Sequence, residues 1–336
     1  MSSAQPVRSR RIAAVALATV ALVGLAGCGS DTADDASTIV RTTTKIAGAG
    51  VVNVERDTGN ACAEPSPADP GAADPQRIVV LDTAALDAVC ALGLQGRVVG
   101  TVTPDGADRQ PSYLGPGVAA LPGIGPAGAP DVDLVAKSGP DLIVGAAPAD
   151  PVLADRLRAL APTAFVGADA VFWKNRFRFL ATGEALGRSG AARQALDAYT
   201  ADAARIGNDL AARQTQASVV RFGADSLAIT GPGSFSGQVL ADAGVQRPAY
   251  QRLEVAAEEI DDLGTAEGDV IYVSFDGPDG LEHGKSVMDS DEWYALGAVP
   301  DKRVFAVDDE IWNGGNGIVA ARAVLADLQP SLNGYA

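Results

Sequence analysis

From Gln76 onward the chain alternates between two hydrophobic rhythms. "RIVVL" (Arg77 to Leu81) is a continuous apolar run rich in β-branched residues. In the stretch "ALDAVCALGL" that follows, Leu86, Val89, Cys90 and Leu92 recur at helical spacing, and "RVVGTV" (Arg97 to Val102) restores the first rhythm. A period near 3.6 marks an amphipathic helix, and a short unbroken apolar run marks a buried strand. The alternation continues through "PDVDLVAKSGPDLIVGA" and "LAPTAFVGA". Short helices between such strands predict an α/β fold with a parallel sheet covered on both faces.

The rhythm changes after residue 170. "FWKNRFRFLATGEALGRSGAARQALDAYTADAARIGNDLAARQ" (Phe172 to Gln214) contains no strand pattern. Within it Leu196, Tyr199, Ala203, Ile206 and Leu210 alternate steps of three and four, one stripe on a helix about 35 Å long spanning residues 191–213. Gly207 interrupts this stripe at a cost of about 1 kcal/mol relative to Ala. The strand pattern then returns in "ASVVRF", "SLAIT", "GDVIYVSF" and "RVFAVDD", with helices at "SGQVLADAGVQRP" and "GIVAARAVLADLQ". The prediction is an α/β lobe over 76–170, a helical region over 171–214 holding the bridging helix, and a second lobe over 215–336.

Residues 1–75 obey neither rhythm. Arg8, Arg10 and Arg11 precede the apolar run "IAAVALATVALVGLAG", which is too short for a membrane span and reads as an export signal over residues 1–27. It ends in "LAGC" (Leu25 to Cys28), which resembles the lipobox of bacterial lipoproteins. That resemblance implies cleavage before Cys28, a diacylglycerol on its thiol, and an extracytoplasmic protein held to the membrane by acyl chains. Residues 28–75, rich in Ala, Thr, Asp, Gly and Pro, are expected to be a tether.

Composition sharpens this picture. The chain carries a net charge of −16, and loss of residues 1–27 leaves 23 Lys and Arg against 42 Asp and Glu, a net of −19. Such a charge argues against nucleic acid and anionic lipid surfaces as partners. With Cys28 assigned to lipid, Cys62 and Cys90 are a natural disulfide pair outside the cytoplasm, the alternative being a free Cys90 buried in a helix.

Catalytic groups are scarce. His283, the one histidine, lies in "DGLEHGKS" and reads as a solvated loop residue, which argues against a zinc site and a Ser-His-Asp hydrolase. "GKS" lacks the earlier Gly of a phosphate loop, because Asp279 stands there. "GPGSFSGQ" (Gly231 to Gln238) reads as a plain strand-to-helix turn, with anion binding by its amides the alternative. Binding groups are easier to place, since α/β lobes meet ligands at the carboxyl ends of their strands. Tyr113 and Arg109 follow the second strand, Trp173 and Arg176 precede the long helix, Arg221 ends a strand, and Trp312 follows another.

Taken together, "RIVVLDTAALDAVCALGLQGRVVG", "PDVDLVAKSGPDLIVG", "VFWKNRFRFLATGEALGR", "SGQVLADAGVQRP" and "DSDEWYALGAVPDKRVFAVDDEIWNGGNGIVAARAVLADL" resemble the periplasmic-binding lipoproteins of iron–siderophore ABC importers, nearest to a FecB-type actinobacterial branch. The resemblance covers about residues 76–329. It implies two Rossmann-like lobes with parallel sheets bridged by a single long helix, a shallow cleft, little hinge motion, and a monomer. The implied ligand is a ferric siderophore whose iron stays inside its chelator, so no protein cofactor or metal ligand is needed. Aromatic walls would come from Tyr113, Trp312 and Trp173, and Arg109, Arg221 and Arg176 would offset negative charge on the chelate.

The family also docks one acid from each lobe into arginine pockets of a permease dimer. Its first-lobe pattern is usually Asn-Leu-Glu; here Asp131-Val132-Asp133 places a shorter acid, Asp133, at that position. In the second lobe the acid is Glu258, with Glu259 beside it. The rival expectations are a haem or corrinoid ligand on the same fold, a lipid-anchored hydrolase, and an envelope scaffold that uses the fold for protein partners.

Overall fold

A computed structural model describes residues 45–46, 48–53, 56–104, 107, 109–167, 172–253 and 255–332, with only the helical course given at 172–175. The export signal, Cys28 and the Trp173 side chain lie outside the described residues. The described chain opens with antiparallel strands β1 (Lys45–Ile46) and β2 (Ala49–Val51). An irregular segment leads to β3 (Ile78–Val80), α1 (Thr83–Ala91), β4 (Val98–Thr103), α2 (Pro116–Ala119) and β5 (Gly123–Pro126). The lobe is completed by α3 (Val132–Ser138), β6 (Leu142–Gly145), α4 (Pro151–Arg158) and β7 (Thr163–Phe165). Its five strands pair in parallel in the order β5-β4-β3-β6-β7. Burial on both faces explains the unbroken apolar runs: Ile78 and Val80 face one core, while Val79 and Leu81 face another.

Helices α5 (Phe172–Ala185) and α6 (Ser189–Asp209) follow without an intervening strand. At 1.5 Å per residue α6 is about 31 Å long. Tyr199, Ala203 and Ile206 are buried along its stripe, with Leu196 and Leu210 packed partly against the same core. Gly207 has a packing reason, because a Cβ there would sit 1.8 Å from the carbonyl oxygen of Ala243.

The second lobe comprises β8 (Ala217–Phe222), β9 (Leu227–Thr230), α7 (Phe235–Asp242), β10 (Ala257–Glu259), β11 (Val270–Phe275) and α8 (Gly277–Met288). Then come α9 (Asp291–Tyr294), β12 (Val304–Ala306), α10 (Asp309–Trp312) and α11 (Ile318–Leu332). Its sheet runs β1-β2-β12-β11-β8-β9-β10, separate from the first.

Two expectations need correction. The second sheet is mixed: β2, β12, β11 and β8 are parallel, but β9, β10 and β1 pair antiparallel. Only residues 223–226 separate β8 from β9, too few for the crossover a parallel pair demands. The other concerns the tether. Residues 45–51 are sheet strands, with Gly50 and Val51 in register with Phe305 and Ala306 of β12. Beyond them the chain forms a strap over both lobes. Arg56 pairs with Asp327 of α11, Cys62 is disulfide-bonded to Cys90 of α1, and the Asp69 amide donates to the Gly187 carbonyl at 2.9 Å. Lone side chains along the strap, rather than a period, hold it in place, and the alternative of a free Cys90 falls.

The cores reflect this layout. A central one gathers α1, α6, α7, α11 and one face of each sheet, and a smaller core lies under the outer face of each sheet. Among the described residues no helix is long and apolar enough to cross a membrane.

Candidate functional site

A cleft of about 590 Å³ opens where the carboxyl ends of strands from both lobes meet. The first lobe contributes Arg109 and Ser112 from the loop after β4. The second contributes Arg221 near the end of β8, Phe275 to Gly277 at the end of β11, and Asp308 to Glu310 with Asn313 and Gly314 after β12. Asp308 caps α10 through the Glu310 amide at 2.9 Å, which aims Asp309 and Glu310 from the first turn of that helix. Burial raises the pKa of the Asp308 carboxyl, and neighbouring Glu310 adds to the shift.

Hydrogen bonds organise the walls. The Arg221 guanidinium donates from Nε and Nη2 to the two oxygens of Asp309, at 2.9 and 2.8 Å, and Asp276 lies 3.3 Å away. That two-point bond raises the already high pKa of Arg221. Asn313 Nδ2 donates to Asp309 Oδ1 at 2.7 Å and to Ser274 Oγ at 2.8 Å. Across the cleft, Glu310 Oε2 accepts from the Ser112 amide at 3.1 Å and from its hydroxyl at 2.5 Å, with Arg109 3.9 Å from Oε1. Among the described residues the aromatic ring lining the cleft is Phe275, stacked on Phe222 with centroids 5.6 Å apart.

The expected site residues divide. Arg109 and Arg221 reach the cleft. Tyr113 and Trp312 do not form its walls, and the aromatic lining expected of them is corrected by their burial. Trp312 is fully buried against Tyr272, with its Nε1 donating to Asp327 of α11 at 2.8 Å. Tyr113 is buried on the far side of its turn, lining a second cavity of about 320 Å³ beneath the strap, where burial and the nearby Asp87 carboxylate raise its pKa. Gly, Pro and Asn around both aromatics correctly mark turns, but α11 packs over those turns. Arg176 is also committed elsewhere: it pairs with Asp242 of α7 and lies over the Tyr199 ring.

Sequence reasoning missed Phe275, Asp276, Asp309, Glu310 and Asn313. The signal was position: Phe275 ends β11 and the others follow the carboxyl end of β11 or β12, in "SFDG" and "DDEIWN".

The acids expected to dock sit on dissimilar elements. Asp131 caps α3 by accepting from the amides of Asp133 and Leu134 at 2.8 and 3.1 Å, and Asp133 is exposed in the first turn. Glu258 and Glu259 lie on the exposed edge strand β10, not on a helix. The helical turn that feeds β11 is the short Leu263–Ala266 segment capped by Asp262. His283 is not a free loop residue; it lies in α8 with Nδ1 2.8 Å from the Gly223 carbonyl. Among the described residues no cluster of His, Cys, Asp and Glu is arranged to hold a metal ion.

These features agree with known proteins. The chain is 27% identical over 271 residues to the probable siderophore-binding lipoprotein YfiY of Bacillus subtilis, covering 76% of this chain and 82% of that one. It is 25% identical to the Fe(3+)-citrate-binding protein YfmC of the same organism, covering 76% and 80%. Its fold matches Staphylococcus aureus SirA complexed with staphyloferrin B at a TM-score of 0.65 and 25% identity, covering 78% and 94%. A model of the periplasmic binding protein family matches residues 78–311, and the chain belongs to that family of binding proteins, which are not enzymes.

Proposed function

We propose that this protein captures a ferric siderophore in the cleft between its lobes and delivers it to an ABC importer, anchored to the outer face of the cell membrane through lipid on Cys28. The observation that carries the reading is the cleft itself. It lies at the strand ends of both lobes, is large enough for a chelate of drug-like size, and carries the aromatic face of Phe275 among polar groups. The names of YfiY and SirA's ligand supply the chemical class. The iron is cargo held by its chelator. Asp133 on the first lobe and Glu258 or Glu259 on the second are exposed and acidic, as contacts to a basic permease dimer require. The protein acts as a monomer, binding one chelate.

The test is a titration of the full chain in detergent, followed by tryptophan fluorescence, against ferric siderophores, haem and a corrinoid. Saturable quenching by at least one ferric siderophore, with none by haem or corrinoid, is expected. Saturation by haem or corrinoid alone would move the protein to another ligand class, and response to none would favour an envelope scaffold.

A further inference from the structure

We infer that the cleft selects ferric chelates of neutral or positive overall charge and disfavours anionic ones; this rests on the siderophore-binding reading above. Arg109 and Arg221 look in the sequence like groups that would offset an anionic ligand. In the fold Arg221 is already matched, and Arg109, with a side chain 70% exposed, has a carboxylate beside it. Arg221 is gripped by the two oxygens of Asp309 at 2.9 and 2.8 Å, with Asp276 3.3 Å from the same guanidinium. Arg109 lies 3.9 Å from Glu310, which Ser112 also holds. An incoming anion would have to pull Arg221 from a two-point contact and leave the Asp309 carboxylate facing the ligand. That exchange gains no net attraction.

The balance of the walls points the same way. The described lining carries two arginines against Asp276, Asp308, Asp309 and Glu310. Burial raises the pKa of Asp308, yet the balance stays negative even without its charge. A cleft lined by one net sign focuses that sign on its ligand, and the whole chain reinforces it with a net charge of −16. Asp276, with a side chain 57% exposed, is the carboxylate best placed to face a cationic group.

The chelate chemistry follows. Iron(III) held by three singly charged bidentate donors, as in a trihydroxamate, forms a neutral complex, and a free ammonium on the chelator makes it cationic. Catecholate and citrate complexes of iron(III) are anionic. The cleft therefore fits a hydroxamate-type chelate, uncharged or bearing an ammonium, with Phe275 against its apolar edge and the acids toward its cation.

One chelator in three forms tests this: a linear ferric trihydroxamate with its terminal ammonium free, capped as a neutral amide, or capped by a dicarboxylic acid that leaves a carboxylate. The iron shell is the same in all three, so charge is the main variable. Calorimetric titration of the full chain in detergent should give falling affinity in that order, about tenfold or more from first to last. Added salt should narrow the gap. Asp276→Asn should narrow it severalfold, and Asp276→Lys should reverse the order, with circular dichroism confirming that each variant is folded. Equal affinities for all three forms, or preference for the carboxylate form, would overturn the inference and leave siderophore binding standing. Binding of ferric citrate or a ferric tricatecholate, with none of the three forms bound, would do the same. If no ferric chelate binds, the siderophore reading fails and the inference with it.

Discussion

The two lobes share a strand–helix plan but differ in regularity. The first lobe's sheet is parallel throughout and buried on both faces. The second is longer and mixed, extended at one edge by strands from residues 45–51 and at the other by an antiparallel meander. The cleft inherits the difference. Among the described residues the first lobe lends it Arg109 and Ser112, while the second supplies Arg221, Phe275 and the acids Asp276, Asp308, Asp309 and Glu310. Among the described residues the charged lining is thus concentrated on the irregular lobe.

If the second lobe's side of the cleft depends on its buried support, removing that support should give the largest effect. Trp312 ends α10, beside the acids, and ties that helix to α11 through Asp327. Trp312→Ala is expected to cost about 3–5 kcal/mol in denaturant unfolding, through a cavity and the loss of the indole's bond to Asp327 Oδ2, while Arg56 still pairs with Oδ1. A loss under about 1 kcal/mol would mean that the indole is not the core residue its burial implies.

The strap tests whether the lobes stand independently. Replacing Cys62 and Cys90 together by Ser opens a loop with a sequence separation of 28. The expected loss is about 3–4 kcal/mol, read as a lowered unfolding midpoint that reductant reproduces in the parent protein. An unchanged midpoint would show that the strap adds nothing to the first lobe.

Asp87 joins the lobes in another way. This fully buried carboxylate of α1 accepts from the amides of Val319 and Ala320 at 2.9 and 3.0 Å, so the first lobe caps the second lobe's last helix. Gly317 leaves room for it, since a Cβ there would meet Asp87 at 2.2 Å. Burial pushes the Asp87 carboxyl up to about 6, the amide bonds only partly opposing it. In the unfolded chain it titrates near ~4. Between those values the folded state keeps a proton that the unfolded state has lost, so this group's contribution to stability falls as pH rises from about 4 to about 6. Asp87→Asn should remove that slope, worth up to about 1.4 kcal/mol per pH unit in that window, in unfolding curves compared at pH 4, 5, 6 and 7. Asp74 has the opposite sign. Hydrogen bonds from Arg188, then Arg97, hold its carboxyl down at about 2, so its contribution is present above pH ~4 and is lost as pH falls toward 2.

The regular lobe was also the legible one. Its central strands β3 and β6 are unbroken apolar runs because both faces are buried, and α1 and α6 show their stripes plainly, whereas β5, Gly-Ile-Gly-Pro at the sheet edge, leaves no such run. The strap was illegible for the converse reason: β1 and β2 are two and three residues long, and β2 finds its partner, Phe305, about 250 residues away. No local period records a pairing of that kind. At the cleft, Arg109 and Arg221 were readable as strand-end residues, but their engagement by Glu310 and Asp309 arises only when loops distant in sequence meet. Tyr113 and Trp312 misled because turn-forming neighbours reveal local geometry and not what packs over the turn.

The smallest structural effect should come from the acids proposed to dock, where the contrast between lobes is sharpest. Asp131 makes the α3 capping bonds, so the exposed Asp133 carboxylate has no capping duty. Glu258 and Glu259 project from an edge strand, where charged side chains discourage pairing with another sheet. Alanine at Asp133, or at both glutamates, should change folding stability by no more than about 0.5 kcal/mol and leave chelate affinity unaltered. Vesicles carrying the importer would expose a difference: loss of iron uptake with binding intact assigns the acids to the permease. Asp133 sits on a helix held between β5 and β6, and an edge strand is backed on one side only, so the Asp133 variant should lose more uptake than either single glutamate variant. Equal uptake by all variants and the parent would leave β10's glutamates as guards of a sheet edge and Asp133 as a helix-start carboxylate favoured by the macrodipole.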